Sequence, residues 1–204
     1  GASGEVYRSI WKGQEVAMKM FRGAATSDGL PEDEVAAGVL LGKHANTIEL
    51  LAKIKGAPED RLAVLLPLIP ASFTVLGDPP NFDTCTRDTY PADKRFPSKA
   101  AVLILRAITD VCVHMHAQFI SHGDLYAHNI LINLNDESSP LTKLTDFGAA
   151  SILSHLSPAQ TELIERIEVR AVGCLIEELG DRLEKGPERE AMKEKLQALV
   201  AACT

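Results

Sequence analysis

Cysteine pairs are the first thing missing. The 204 residues hold four cysteines, Cys85, Cys112, Cys174 and Cys203, with no C-x-x-C spacing among them. Three of them lie in apolar, helix-like stretches, where a free thiol acts as a small hydrophobe. A reducing, intracellular (cytoplasmic) compartment is therefore the expectation. Positive charge is also in short supply: 21 Lys and Arg against 28 Asp and Glu give a net charge of -7. Duplex nucleic acid or an anionic membrane favours a Lys/Arg-rich face, so neither partner is expected. The opening residues Gly1-Ala2-Ser3-Gly4-Glu5 lack the basic and apolar regions of a secretory signal. No apolar stretch reads as both long and uncharged enough to cross a bilayer, and no internal repeat or low-complexity tract is visible.

What is present is ordinary material for a folded protein. With 46% hydrophobic and 24% charged residues, the chain can bury a core as one large domain or two small lobes. Val6 to Phe21 reads as a hairpin turning at Lys12-Gly13-Gln14, because β-branched and aromatic residues flank a Gly-containing break. The small and polar residues between Arg22 and Leu30 form a connector, and Pro31 opens a helix running to about Gly42. Strands follow around Ile48 to Ile54 and Leu62 to Ile69, and Pro70 starts a loop-like region. From Ser98 to about Gln118, Ala101, Ile104, Ile108, Val111 and Met115 recur at three- and four-residue steps, the pattern of a long core helix. Ile130-Leu131-Ile132 and Leu144-Thr145 read as a second hairpin around a polar turn. Ser157-Pro158-Ala159-Gln160 has the form of a capping box with Pro in the first helical turn. Val169, Val172, Ile176, Leu179 and Leu183 keep helical spacing, and Met192, Leu196, Leu199 and Val200 mark a last helix.

Four segments carry chemistry. The opening Gly1-Ala2-Ser3-Gly4-Glu5-Val6-Tyr7 puts little side chain at the start of a hairpin, so backbone N–H groups can approach phosphate oxygens. Two turn glycines would explain it equally well. Val16-Ala17-Met18-Lys19 sets a lysine in an apolar strand, where it either snorkels or holds a phosphate against a carboxylate partner. Glu34 on the next helix is a candidate for that carboxylate, with Glu32 as the alternative, while both also read as solvated acids that suit the dipole at a helix start. His122-Gly123-Asp124-Leu125-Tyr126-Ala127-His128-Asn129 precedes a short strand, and Asp146-Phe147-Gly148 follows the next one.

In this order the strings resemble the protein-kinase family, through its V-A-I-K lysine, its H-R-D-L-x-x-x-N catalytic loop and its D-F-G. The resemblance covers almost the whole chain. It implies an α+β, bilobal fold: an amino-terminal lobe over residues 1–70 with a small antiparallel sheet and one helix, and a reduced, mainly helical lobe over 71–204. It implies ATP and Mg²⁺ as cofactors and a protein as phosphate acceptor. Asp124 would accept the hydrogen of the acceptor hydroxyl, Lys19 with Glu34 would hold the nucleotide phosphates, and Asn129 and Asp146 would offer hard oxygens to Mg²⁺. Gly1, Ala2, Ser3 and Gly4 would cover the phosphates. Val6, Ala17 and Leu131 would sandwich the adenine beside Leu66, Leu68 and Ile69. His122 would pack on Phe147, and His128 is left as a polar loop residue.

The departures are as specific as the matches. Gly1 aligns with the second glycine of the family's G-x-G-x-x-G, and Leu196 to Thr204 resembles a late helix, so both ends look cut and the chain reads as one domain of a longer protein. Gly123 replaces the arginine that in many kinases receives the activation-loop phosphate, and Tyr126 stands where serine/threonine kinases usually carry lysine. Glu168-Val169-Arg170-Ala171-Val172-Gly173-Cys174 resembles D-V-W-S-x-G but follows Asp146 by only 22 residues, with no A-P-E between. The peptide-docking platform is therefore expected to be small. Three readings stay open: a protein kinase acting on Ser/Thr, less readily Tyr; a small-molecule phosphotransferase, because His-Gly-Asp is also the loop of aminoglycoside and choline kinases; and a pseudokinase scaffold.

Overall fold

A computed structural model describes residues 4–23, 29–58, 61–136 and 138–204. Gly1, Ala2 and Ser3, expected to cover phosphates, lie outside the described residues, as does the middle of the connector. Strands β1 (Gly4–Trp11) and β2 (Gln14–Phe21) pair antiparallel, with Val6 opposite Lys19 and Ala17 opposite Arg8. Lys12 and Gly13 between them have φ of 50° and 78°. Two successive left-handed residues match the natural twist of a two-residue hairpin, which is why the turn contains a glycine. Strands β3 (Ala52–Ile54) and β4 (Ala63–Pro67) complete a sheet of order β1-β2-β4-β3.

The strand expected from Ile48 begins only at Ala52, although the Leu51 N–H already donates to Leu65 of β4. The Leu144 N–H donates to the Asn46 carbonyl at 2.7 Å, and Thr47 bridges Leu144 in parallel. That short stretch ties the sheet lobe to the helical lobe. Helix α1 (Pro31–Leu41) does the same through its side chains. Val35 packs with Phe21 and Val64 under the sheet, while Ala37 and Leu41 join the core cluster of the helical lobe. Its first turn carries Glu32, Asp33 and Glu34, which favours the positive end of the helix dipole.

In the helical lobe, α2 (Ser98–Ala117) buries all five residues singled out by their spacing. It also corrects an expectation: with 20 residues it is long and apolar enough to cross a membrane by length and composition. One face of it is core, with Ile104, Ile108, Val111 and Met115 wholly enclosed by the rest of the fold, while Val102 and Val113 are exposed. Strands β5 (Thr74–Val75), β7 (Ile130–Asn133) and β8 (Leu141–Leu144) form a second sheet, and β6 (Ile120–Ser121) pairs with β9 (Ser151–Ile152). The two-residue strands β5, β6 and β9 have no periodicity to announce them. Helix α3 (Pro158–Asp181) starts on the Ser157 capping box and runs unbroken for 24 residues through the segment containing Glu168. Helix α4 (Arg189–Ala202) packs on it through Leu196, although Leu199 and Val169, counted in the periodic sets, point outward.

Candidate active site

Strand β2 carries Lys19 and helix α1 carries Glu34, and the fold closes them into an ion pair with Nζ 2.5 Å from Oε1. Both side chains are largely buried, and the ammonium also sits 4.7 Å over the Phe21 ring. Glu32, the alternative acid, is exposed. Gly29, just ahead of α1, passes so close to Gly148 that a β carbon there would stand 2.9 Å from the Gly148 carbonyl oxygen. The start of α1 thus lies beside Asp146-Phe147-Gly148, and it brings the Lys19–Glu34 pair to the same side of the molecule.

Asp124 and Asn129 bracket the loop that ends in a 3₁₀ turn over Ala127–Asn129. The Asn129 amide donates to the Asp124 carbonyl at 3.0 Å and to its Oδ2 at 2.8 Å. Its own oxygen is thereby turned away from Asp124. Asn129 leads into β7, whose register sets Ile130 opposite Leu144, and the Thr145 N–H donates to the Asn129 carbonyl at 2.8 Å. Asp146 follows directly, with φ of 56°. A left-handed aspartate is a strained conformation held by its surroundings. One carboxylate oxygen accepts the Gly148 N–H at 3.2 Å, and the residue is exposed. Asn129 Oδ1 and the second Asp146 oxygen are hard donors of the kind Mg²⁺ takes, so the residues present fit that ion.

Beneath the loop, His122 is fully buried and meets Phe147 edge-on at 4.9 Å between ring centroids. Nε2 donates to the Thr145 carbonyl at 3.0 Å, and Nδ1 accepts the Asp124 N–H at 3.3 Å. Such a ring must be neutral, and burial duly pushes its pKa below the usual range. His122 packs on Phe147 as the sequence reading expected.

Glu168 of α3, only 4% exposed, is the anchor that reading did not assign. Its Oε1 accepts from the His122 N–H at 2.5 Å, the Ser121 hydroxyl at 3.3 Å and the Gly123 N–H at 3.4 Å, and Oε2 takes His116 Nε2 at 2.6 Å. Its place in the D-V-W-S-like string was the available signal. Gly123 has its own reason to be glycine: φ is 76°, and a β carbon would stand 2.4 Å from the Ala149 carbonyl oxygen. The arginine of the family pattern has no room here. Gly123→Ala is expected to cost at least about 2 kcal/mol through left-handed strain and backbone overlap. Thermal melting should register this as a fall of about 4–8 °C.

The residues expected around an adenine are placed as follows. Ala17 and Leu66 are direct cross-strand partners on β2 and β4. Leu68 and Ile69 follow β4, Leu68 being 37% exposed and Ile69 half-buried. Val6 is 62% exposed on β1, and half-buried Leu131 sits in β7 of the other lobe, opposite Val75. Gly4 is a paired, buried strand residue, and a β carbon on it would lie 2.6 Å from the Met20 carbonyl oxygen. Its bareness serves the approach of β1 to β2.

The comparisons with known proteins agree with this geometry. A model of the protein kinase domain matches residues 1–167. A putative serine/threonine-protein kinase/receptor of Acanthamoeba polyphaga mimivirus is 25% identical over 164 residues, 79% of this chain and 9% of that protein. Calcium-dependent protein kinase 19 of Arabidopsis thaliana is 33% identical over 100 residues, 49% of this chain and 16% of that protein. The chain therefore spans a small part of the curated relatives it matches. Among solved structures, the Chaetomium thermophilum CAK complex bound to ATP-gamma-S superposes with a TM-score of 0.64 at 22% identity, covering 96% of this chain and 64% of that one. The Rad53 kinase domain gives 0.63 at 19% identity, covering 98% and 78%. With four-fifths of its residues matched by the family model and a bilobal α+β fold shared with these structures, the chain belongs to the protein kinase domain family.

Proposed function

We propose that this domain is an ATP-dependent protein kinase that transfers the γ-phosphoryl group of Mg-ATP to a serine or threonine hydroxyl. The observation that carries the reading is the arrangement of the five expected polar residues: Lys19 is ion-paired with Glu34, Asn129 is hydrogen-bonded to Asp124, and Asp146 follows the Thr145–Asn129 hydrogen bond by one residue. Lys19, held by Glu34, would fix the α and β phosphates of the nucleotide. Asp146 and Asn129 would hold magnesium, which when bound neutralises charge on the β and γ phosphates. Asp124 would accept the hydrogen of the acceptor hydroxyl and take its proton late in the transfer. Serine or threonine as acceptor draws on the relatives above, which are named as serine/threonine or calcium-dependent protein kinases. Free thiols at Cys85, Cys112, Cys174 and Cys203 fit a reducing, intracellular setting, and the short span against its relatives fits one domain of a longer protein.

The first test is binding. Saturating Mg-ATP, at about 100 times its dissociation constant, is expected to stabilise the fold by about 2.7 kcal/mol, a rise in melting temperature of about 5–10 °C. The rise should need both nucleotide and magnesium and should vanish in Asp146→Ala. Labelled γ-phosphate is then followed onto protein, amino alcohol and sugar acceptors, with phosphoamino-acid analysis of any labelled protein. Label on serine or threonine supports the proposal. Label only on small molecules would replace it with the phosphotransferase reading, which the His-Gly-Asp loop also fits, and nucleotide binding with no label anywhere would leave a scaffold.

A further inference from the structure

The loop that carries Asp124 also forms one wall of a pocket. Gly123, Leu125 and Tyr126, on either side of Asp124 in the chain, border a space of about 340 Å³ whose opposite wall is α3. Helix α3 contributes Ile164, Ile167 and Ala171, spaced at three and four residues and so on one face of the helix. That face is short of cover. Ile167 is 69% exposed and Leu163, one turn earlier, is 61% exposed, although a long helix ordinarily turns its apolar stripe toward a core. The cause is the brevity of the chain ahead of the helix: five residues, 153–157, join β9 to α3, too few to fold back over its first turns.

The chemistry of the pocket is apolar. Its wall includes two carboxylates, Glu168 and Glu178, and both oxygens of each are engaged. Glu168 takes the loop N–H groups and His116, as described above. Glu178 takes Arg87 Nη1 on Oε1 at 3.3 Å and the Tyr90 hydroxyl on Oε2 at 2.8 Å. What is left for a ligand is hydrocarbon, against which a Leu, Met or Phe side chain sheds its water favourably.

We propose that this pocket takes one apolar side chain, of Leu, Met or Phe size, from the polypeptide whose hydroxyl is presented to Asp124, and that Ile167 sets the preference. A chain laid across Asp124 also passes Gly123, Leu125 and Tyr126, the residues that border the pocket. A residue close to the acceptor in sequence then sets its side chain between this wall and α3. A sugar or an amino alcohol has no such side chain to offer, so the pocket favours a protein acceptor. The inference rests on the kinase reading above and specifies which peptides that site selects.

The test presents the whole chain with an array of peptides around one central serine, in which each flanking position holds Leu, Phe, Asp, Lys or Gly in turn. Both retained protein and transferred γ-phosphate are read. At one position near the serine, Leu or Phe is expected to raise kcat/KM about 10- to 100-fold over Gly, the worth of burying such a side chain. Ile167→Asp places a charge in the pocket from an exposed position, and Ala171→Leu fills it from a half-buried one. Each should cut the preference about three- to tenfold, as residues in contact do, and mainly through the KM for the peptide. The Gly peptide, the KM for ATP and the Mg-ATP thermal shift should keep their wild-type values. An array without apolar preference, or a preference that neither variant changes, would overturn the proposal and spare the kinase reading. Equal losses for the Leu and Gly peptides would overturn it too, as the mark of a displaced loop. So would sedimentation showing a dimer that Ile167→Asp dissociates, because a second copy would then fill the pocket. Peptides retained with the apolar preference but never labelled would sink the kinase reading and leave the pocket standing.

Discussion

Replacing Asp124 by alanine is expected to lower γ-phosphoryl transfer by about 10²- to 10⁴-fold, the usual worth of a positioned general base, and to leave the Mg-ATP thermal shift in place. The expectation is sharp because the loop keeps its ties without the carboxylate. The Asn129 amide also donates to the Asp124 backbone carbonyl, at 3.0 Å, and that bond survives the substitution. So does the Asp124 N–H donated to His122. The side chain is 40% exposed, so its removal opens no core cavity. Alanine therefore takes away the proposed base and spares the scaffold, which makes the variant a probe of chemistry. If the variant transferred phosphate at the wild-type rate, the acceptor would have to be activated elsewhere.

How much of this was readable beforehand depended on the distance over which a residue's partner lay. Helix α2 announced itself because its five core positions repeat every turn, and those five are the ones the fold encloses. The Lys12-Gly13 turn and the Ser157 capping box were readable because their physics is complete within four residues. Lys19 and Glu34 are 15 residues apart, and family spacing alone suggested their contact. Several of the misses involve irregular segments. Asn46 and Thr47 pair with residues almost a hundred positions away, a contact no local propensity encodes. Asp88 sits in a stretch rich in Pro, Asp and Thr that reads as loop, and its clamp on His128 spans 40 residues. Only folding brings two such residues together.

Glu168→Ala is expected to be strongly destabilising, costing about 3–5 kcal/mol by stranding buried partners. The melting temperature should fall by about 6–20 °C. The His122 and Gly123 N–H groups, the Ser121 hydroxyl and His116 all lose the same acceptor, and the ledge under Asp124 goes with them. Glu168→Gln keeps one acceptor oxygen and removes the charge, which isolates the ionic part. Burial alone would raise the Glu168 pKa, but the His116 hydrogen bond and the His122 N–H reverse it, and the folded value lies below the ordinary 4.5. Its contribution is therefore present above 4.5 and lost as the pH falls through that lowered value. His116 is shifted the other way: its hydrogen bond to Glu168 raises it above 6.5 against the opposing effect of burial. That contribution is complete below 6.5 and fades as the pH rises through the raised value. The two overlap between 4.5 and 6.5. His122 adds an opposite trend below 6.5, but burial dominates its shift and persists in the variant, so that part cancels in a difference and only the smaller Coulombic effect of Glu168 on the ring remains. The gap in melting temperature between wild type and Glu168→Gln should accordingly be widest in that mildly acid window and narrow on both sides. A gap that stays constant with pH would mean that the carboxylate holds the loop by shape and neutral hydrogen bonding, with no ion pair to His116.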